Sequence, residues 1–243
     1  MTGPHADGDH DAHASSSAIG TDTPPTVSTG DSLEDALEAM RSGDPVLVHD
    51  AADREGETDL IYPAAAVTPD AVARLRNDAG GLVCVALTDA VADAFGLPFY
   101  WEEVDHPATG AHDIGYDERS SFSLTVNHRD TYTGITDNDR ALTIRALAEA
   151  AASPDETDFS AAFRVPGHVH LLRGAPGLAA SREGHTELGL ALADAADLEP
   201  AVVVCEMLDD RTGEALTPTD ARAYAARNGF VYLEGSEITD RLA

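Results

Sequence analysis

Leu82-Val83-Cys84-Val85-Ala86-Leu87, approached through Gly80-Gly81, is apolar at every position. A half-exposed strand alternates apolar and polar residues, so an unbroken run of this length reads as a strand buried on both faces. Ala201-Val202-Val203-Val204-Cys205 has the same character. Before the first run, Thr68-Pro69-Asp70 opens a helix that carries Val72 and Leu75 and stops near the two glycines. Further back, Val46 to His49 is a short strand, set off by Gly43-Asp44-Pro45 from a helix around Leu37 and Met40. That helix is expected to start at Ser32 as N-cap, with Asp35 closing a capping box. Beyond Leu87, residues 99 to 120 show little periodicity and many turn formers, the pattern of a functional loop or lid. Ser123 to Val126 alternates as a strand. A helix capped by Asp139 runs to Ala150, and a polar loop from Ser153 to Ser160 follows it. Val165 to Leu172 is extended, Thr186 begins a helix to Ala196, and a helix near Pro218 to Asn228 precedes a strand from Phe230 to Leu233. Helices and strands alternate irregularly and without repeats, which predicts a single α+β or α/β domain with a mixed sheet covered by helices.

The first stretch, residues 1–30, is built from Gly, Pro, Ser, Thr, Asp and His and holds too little apolar surface to offset its ordering entropy. It is expected to be a disordered tail ahead of a catalytic domain over residues 31–243. It has no apolar core after a basic start, and no run in the chain is long enough to span a bilayer, so a soluble, cytoplasmic protein is expected. The 243 residues include 44 acidic and 15 basic side chains, a formal charge of -29, and every basic residue is Arg. Such a surface repels nucleic acid and anionic membranes as general partners. An acidic, Lys-free chain of this kind resembles proteins of organisms that keep molar salt in the cytoplasm. Cys84 and Cys205 both lie in apolar runs and read as buried, reduced thiols. There is neither a Gly-rich dinucleotide fingerprint nor a phosphate loop ending in Gly-Lys-Ser/Thr, so nucleotide cofactors are not expected.

Four segments carry candidate chemistry. In Asp53-Arg54-Glu55-Gly56-Glu57-Thr58-Asp59, three carboxylates are spaced by two and would share one face of an extended segment. Like charges so close repel unless a cation sits among them, and a hard divalent ion with oxygen ligands answers that need. Spacing alone fits a solvated acidic edge better than a site; Arg54 amid the acids shifts the balance slightly toward phosphate or hydroxyl recognition. Arg182-Glu183-Gly184-His185-Thr186-Glu187 lies where a loop becomes a helix, so free backbone N–H groups, a guanidinium and a hydroxyl make a phosphate cradle or an ordinary cap. Pro166-Gly167-His168-Val169-His170 offers imidazoles for acid–base work, or simply hydrogen-bonded histidines. Glu206 follows a buried strand at its carboxyl end, where α/β sheets place functional groups, and burial there would raise its pKa.

Taken in order, these segments resemble the 3,4-dihydroxy-2-butanone 4-phosphate synthase family. The matching pieces are Asp53 to Asp59, Gly80-Gly81-Leu82-Val83-Cys84, Thr133-Gly134-Ile135-Thr136, Pro166-Gly167-His168-Val169, Arg182 to Glu187 and Val204-Cys205-Glu206. The resemblance implies a three-layer α/β/α fold and a lyase using Mg²⁺ (or Mn²⁺) that converts ribulose 5-phosphate to 3,4-dihydroxy-2-butanone 4-phosphate and formate. It implies a homodimer with active sites at the subunit interface. Metal ligands would be Glu55 and His185, and the catalytic residues His168 and Glu206. Substrate contacts would come from Asp50, Arg54, Glu55, Asp59, Arg182, Glu183, Gly184, His185, Thr186 and Glu206. Thr58 stands where many members carry Gly, and Glu183 replaces a small residue. No fused cyclohydrolase domain is expected. Two alternatives use the same residues differently: a metal-dependent sugar-phosphate isomerase or aldolase, and a nucleotide- or RNA-binding domain of similar fold, which would need a basic groove.

The charge excess predicts salt-dependent folding. Thermal unfolding should move to higher temperature from dilute buffer to about 1 M salt, where the screening length is roughly 3 Å. Calorimetry across a salt series checks this, and full stability in salt-free buffer would refute it.

Overall fold

Seven strands pair into one sheet in a computed structural model that describes residues 32–51, 54–109, 115, 117 and 119–243. The expected tail, Asp53 and part of the 99–120 stretch lie outside the described residues. The strands are β1 (Val46–His49), β2 (Thr58–Pro63), β3 (Cys84–Leu87), β4 (Phe122–His128), β5 (Phe163–Arg173), β6 (Ala201–Val204) and β7 (Val231–Glu234). Their order is β4-β5-β3-β6-β2-β1-β7. β1 runs parallel to β7 and β3 to β5, whereas the other neighbouring pairs are antiparallel. The apolar run that suggested a buried strand holds β3, flanked on both edges and fully covered, but the strand starts only at Cys84 and Leu82 is exposed.

Strand alternation splits the core into two layers. Leu47, Leu60, Val85 and Val203 point to one side, where they meet Val72 and Leu75 of α2 (Pro69–Asn77), Ile144 and Leu147 of α5 (Asp137–Ala152) and Ala221 of α8 (Pro218–Asn228). Val48, Ile61, Cys84, Ala86, Val202 and Val204 point to the other. There they meet Leu37 and Met40 of α1 (Ser32–Arg41), Leu188 and Leu192 of α7 (His185–Ala195) and Ile238 of α9 (Gly235–Leu242). This is the expected three-layer α/β/α arrangement around a mixed sheet. Burying a large aliphatic side chain contributes about 1.5–3 kcal/mol, and both sheet faces are packed with such residues.

α7 matters most for function. Every residue from His185 to Ala193 is buried, because the helix is covered by the sheet beneath and by α1 and α9 around it. Gly189 permits the close approach: a Cβ there would stand 3.1 Å from Val202 and 3.4 Å from Ile61. The helix therefore presses its first turn onto the sheet. Among the described residues no helix is long and apolar enough to cross a membrane.

Several local expectations need correction. Ser32 is the first helical residue, and its hydroxyl donates to Glu237 (3.1 Å). α5 is capped by Thr136, whose hydroxyl accepts the Asp139 N–H (3.1 Å), while the Asp139 carboxylate accepts the Gly134 N–H (2.9 Å). α7 starts at His185 with Gly184 as N-cap. The aperiodic 99–120 stretch holds a short helix, α4 (Tyr100–Glu103), and a turn of 3₁₀ helix at Pro107–Thr109. β2, α3 (Asp89–Ala94), α6 (Phe159–Ala162) and α9 had no strong signal, being short or interrupted by polar residues.

Candidate active site

From Arg54 the acidic segment is a turn leading into a strand, so Glu55 and Asp59 reach the same cavity from a turn and a strand and not along one extended segment. Asp50, buried at the end of β1, accepts the backbone N–H groups of Glu55 (3.1 Å) and Glu57 (3.0 Å) and the Arg54 guanidinium (3.3 Å). The chain wraps around this carboxylate, and Gly56 takes a positive φ of 69° that side-chain-bearing residues rarely adopt. Only Thr58 and Asp59 have entered β2. Asp59 then pairs with Glu206 in the register that joins β2 to β6. Leu60 donates to the Cys205 carbonyl (2.9 Å) and Met207 to the Thr58 carbonyl (2.8 Å). These bonds bracket Asp59 and Glu206 as a non-hydrogen-bonded pair, the antiparallel position that brings side chains closest.

His185, at the start of α7, comes down on this pair. Its Nδ1 lies 3.5 Å from Asp59 Oδ1 and 3.5 Å from Glu55 Oε2. Burial raises the Asp59 carboxyl to about 8, helped by Glu206, Glu55 and Glu57 and opposed by His185. Burial also opposes charge on His185, yet Asp59, Glu55 and Asp50 outweigh it and lift the imidazole to about 9. Burial likewise lifts Glu206, with Glu55 adding to the shift. For Glu55, His185 and the two arginines overcome burial and hold its carboxyl below the ordinary value.

Asp59 Oδ1 and His185 Nε2 are buried without a hydrogen-bond partner among the described residues. Buried polar atoms are normally satisfied, so such a pair in one site points to a group that completes it. Asp50, Glu55 and His185 each offer a ligand atom, all within 4.8 Å of one another. Carboxylate oxygens with one imidazole suit a divalent cation, so the donor set fits.

Above the acids stand the arginines. Arg182 donates to Asp117 (2.6 Å) and to the fully buried Glu187 (2.5 Å), and Arg54 reaches the same Asp117 oxygen (2.5 Å). Glu187 also accepts the Ala175 N–H (2.9 Å), which ties α7 to the end of β5. Gly184 lies beneath the guanidinium groups: a Cβ there would fall 2.3 Å from Arg182 Nη1 and 2.9 Å from Arg54 Nη2. Glu55, Asp59, Arg182, His185, Thr186 and Glu206 border a cavity of about 190 Å³. Cys84, Arg119, Ser120 and Ser121 line it too. Burial and the negative Glu206 push the Cys84 thiol well above its usual range, so it is a neutral wall.

The structure thus gathers most of the expected residues, Asp50 among them, and leaves two apart. Glu183 is exposed and borders a separate depression with Asp50, Glu234 and Ser236. His168 does not line the cavity and is exposed on β5. Arg119, Asp117 and Glu187 were missed. The first two sit in the aperiodic stretch, where nothing marks an individual residue; Glu187 read as an ordinary acid in a helix's first turn.

An acid-floored, arginine-roofed cavity at the end of a mixed sheet defines an enzyme acting on a small anionic substrate. Residues 34–241 match the family model for 3,4-dihydroxy-2-butanone 4-phosphate synthase. The chain is 48% identical over 220 residues to the synthase of Archaeoglobus fulgidus, covering 86% of this chain and 92% of that one. It is 45% identical over 216 residues to the Methanothermobacter thermautotrophicus synthase, covering 86% and 94%. Among solved structures, the Candida albicans synthase superposes with a TM-score of 0.71 at 32% identity, covering 87% of this chain and 97% of that one. A synthase in complex with two magnesium ions gives 0.72 at 32% identity, covering 85% and 94%. The chain belongs to the 3,4-dihydroxy-2-butanone 4-phosphate synthase family. It is a lyase of riboflavin biosynthesis that forms 3,4-dihydroxy-2-butanone 4-phosphate.

Gly184→Ala tests the roof. The added methyl must displace both guanidinium groups, and misplacement by about 1 Å can cost on the order of a hundredfold in rate. Turnover should fall steeply while the circular dichroism spectrum is unchanged; retained turnover would show that the arginines are not held by this contact.

Proposed function

We propose that Glu55 and His185 ligate a divalent cation, Mg²⁺ or Mn²⁺, in this cavity, with Asp50 beside them, and that Glu206 and His168 divide the proton handling. The observation that carries this reading is the pair of buried atoms without a hydrogen-bond partner among the described residues, Asp59 Oδ1 and His185 Nε2, beside the Asp59–Glu206 pairing. The structure of a 32% identical synthase in complex with two magnesium ions supports it. A bound cation would polarise the substrate carbonyl and lower the pKa of the adjacent C–H.

The chain's own groups account for the rest. All atoms and electrons of ribulose 5-phosphate reappear in the two products, so no redox cofactor is required. Proton abstraction beside a carbonyl needs a base near neutrality, and Glu206 is raised toward that range by burial. Arg182, Thr186 and the N-terminus of α7, which no side chain caps, anchor the phosphate, with Arg54 and Arg119 adding positive charge. Asp59 holds a substrate hydroxyl. Glu183, being exposed and outside the cavity, contributes backbone and not its carboxylate.

His168 stands outside its own cavity, which supports a homodimer in which the partner's His168 completes each site. Apolar side chains left exposed on nearby segments, Tyr132, Ile135 and Val165, give such an interface its surface. In this reading residues 31–243 are the catalytic domain, the enzyme works in the cytoplasm, and neither nucleic acid nor membrane is a partner.

Two measurements test these assignments. His168→Ala and Glu206→Gln should each lose formate release by at least about a hundredfold, the range of a lost acid–base group. Mixed and re-equilibrated in equal amounts, they should regain about a quarter of wild-type activity, since half the dimers then carry one intact site. Failure to regain activity rules out the shared site. Separately, cation binding must displace the proton that the raised His185 holds at neutral pH. Mg²⁺ affinity should rise with pH up to about 9, by about tenfold per pH unit for each proton released. Titration calorimetry in buffers of different ionisation enthalpy reads this directly, and Glu55→Ala should abolish the signal. A pH-independent affinity contradicts the ligand assignment.

A further inference from the structure

The Thr133-Gly134-Ile135-Thr136 segment plays no part in the cavity, yet it reaches the same place as His168 by another route. β5 slips against β4: Val169 faces Val126, but the next pairing is Arg164 with Asn127. Residues 165–168 therefore leave the ladder, and two side chains of β4 take over the backbone bonds. Thr125 Oγ1 accepts the Gly167 N–H (3.2 Å) and Asn127 Oδ1 accepts the His168 N–H (2.8 Å). Gly167 is required here, since a Cβ would fall 1.9 Å from the Val126 carbonyl carbon.

The buried Asn127 carboxamide has only one rotation that satisfies these bonds. Because Oδ1 must face the His168 N–H, Nδ2 is turned to the ring and lies 3.1 Å from Nδ1, nearer than Oδ1 at 3.3 Å. An amide nitrogen donates and cannot accept, so the shorter contact is a hydrogen bond only with Nδ1 as acceptor, while Oδ1 is already engaged by the His168 N–H. In a neutral imidazole the proton then sits on Nε2. Gly134 locks the arrangement: it has a φ of 88°, its N–H is held by Asp139, and a Cβ would fall 2.1 Å from Asn127 Nδ2. The loop backbone is thus packed against the carboxamide and blocks its swing.

We propose that Asn127 is a positioning residue that fixes His168 as the neutral Nε2–H tautomer, with residues 133–136 as its buttress. His168 then presents Nε2–H outward as a hydrogen-bond donor to a developing substrate oxyanion, and the base that takes the carbon-bound proton is Glu206. This rests on the assignment of His168 to the reaction, and it divides the labour that the assignment left shared.

The test is ¹⁵N NMR of the histidine-labelled protein in alkaline buffer, with the His168 signals identified by their loss in His168→Gln. The expected result is an unprotonated Nδ1 and a protonated Nε2; a protonated Nδ1 overturns the proposal. Asn127→Asp places an acceptor opposite Nδ1 and should reverse the pattern. With it kcat should fall about a hundredfold, as for a misaligned acid–base group, while KM changes little. An unchanged tautomer in Asn127→Asp also refutes the positioning role. A reversed tautomer with unchanged kcat would leave the tautomer assignment standing and remove His168 from the reaction, which separates the two failures.

Discussion

Two carboxylates set side by side in a buried antiparallel pair repel, and the structure places Asp59 and Glu206 in that relation. Everything around the pair is arranged to make it tolerable. His185 arrives on the first turn of α7, and α7 reaches the sheet because Gly189 lets its backbone approach Val202 and Ile61. Glu55 is turned toward His185 by the Asp50 carboxylate, which gathers the preceding turn by its N–H groups. Arg54 and Arg182 supply further positive charge from above, linked through Asp117. Even so, burial lifts Asp59 well above an ordinary carboxylate and raises Glu206 as well, so the site holds protons that a cation or substrate can displace.

The same economy appears in the glycines. Gly184 lies under two guanidinium groups and Gly134 against the Asn127 carboxamide, each leaving no room for a methyl. In both cases backbone approaches a charged or polar group that then has a single orientation. The arginines gain a fixed direction for an anion, and His168 gains a fixed tautomer. Such fixing is what preorganisation requires, since groups that need not reorganise cost nothing at the moment of reaction.

Much of the fold was legible in the chain. The unbroken apolar runs contain the central strands Cys84–Leu87 and Ala201–Val204, and Thr68-Pro69 and Pro218 start helices where turn chemistry said they should. Glu206 was recognisable as a strand-end acid and His185 as a residue at a helix start. Less visible was β2, in which Asp59 and a terminal Pro63 interrupt the apolar pattern. The acidic turn was misread as extended, because its spacing of two reflects a strand period only if the backbone is a strand. Asn127, Arg119 and Asp117 carried no signal of their own. Their meaning lies entirely in what stands opposite them.

By itself, the sequence determined which segments would be buried, where helices would begin and which residue types could hold a cation or an anion. Those properties are local: they follow from hydrophobic period, cap chemistry and the donor set of each side chain. Only the tertiary structure decided that Asp59 meets Glu206, that His185 closes over both, and that His168 is turned out of its own cavity. Those are facts of register and helix–sheet approach, and they join residues as far apart as 59 and 206. A one-residue change in pairing would have sent the same carboxylates to opposite faces of the sheet.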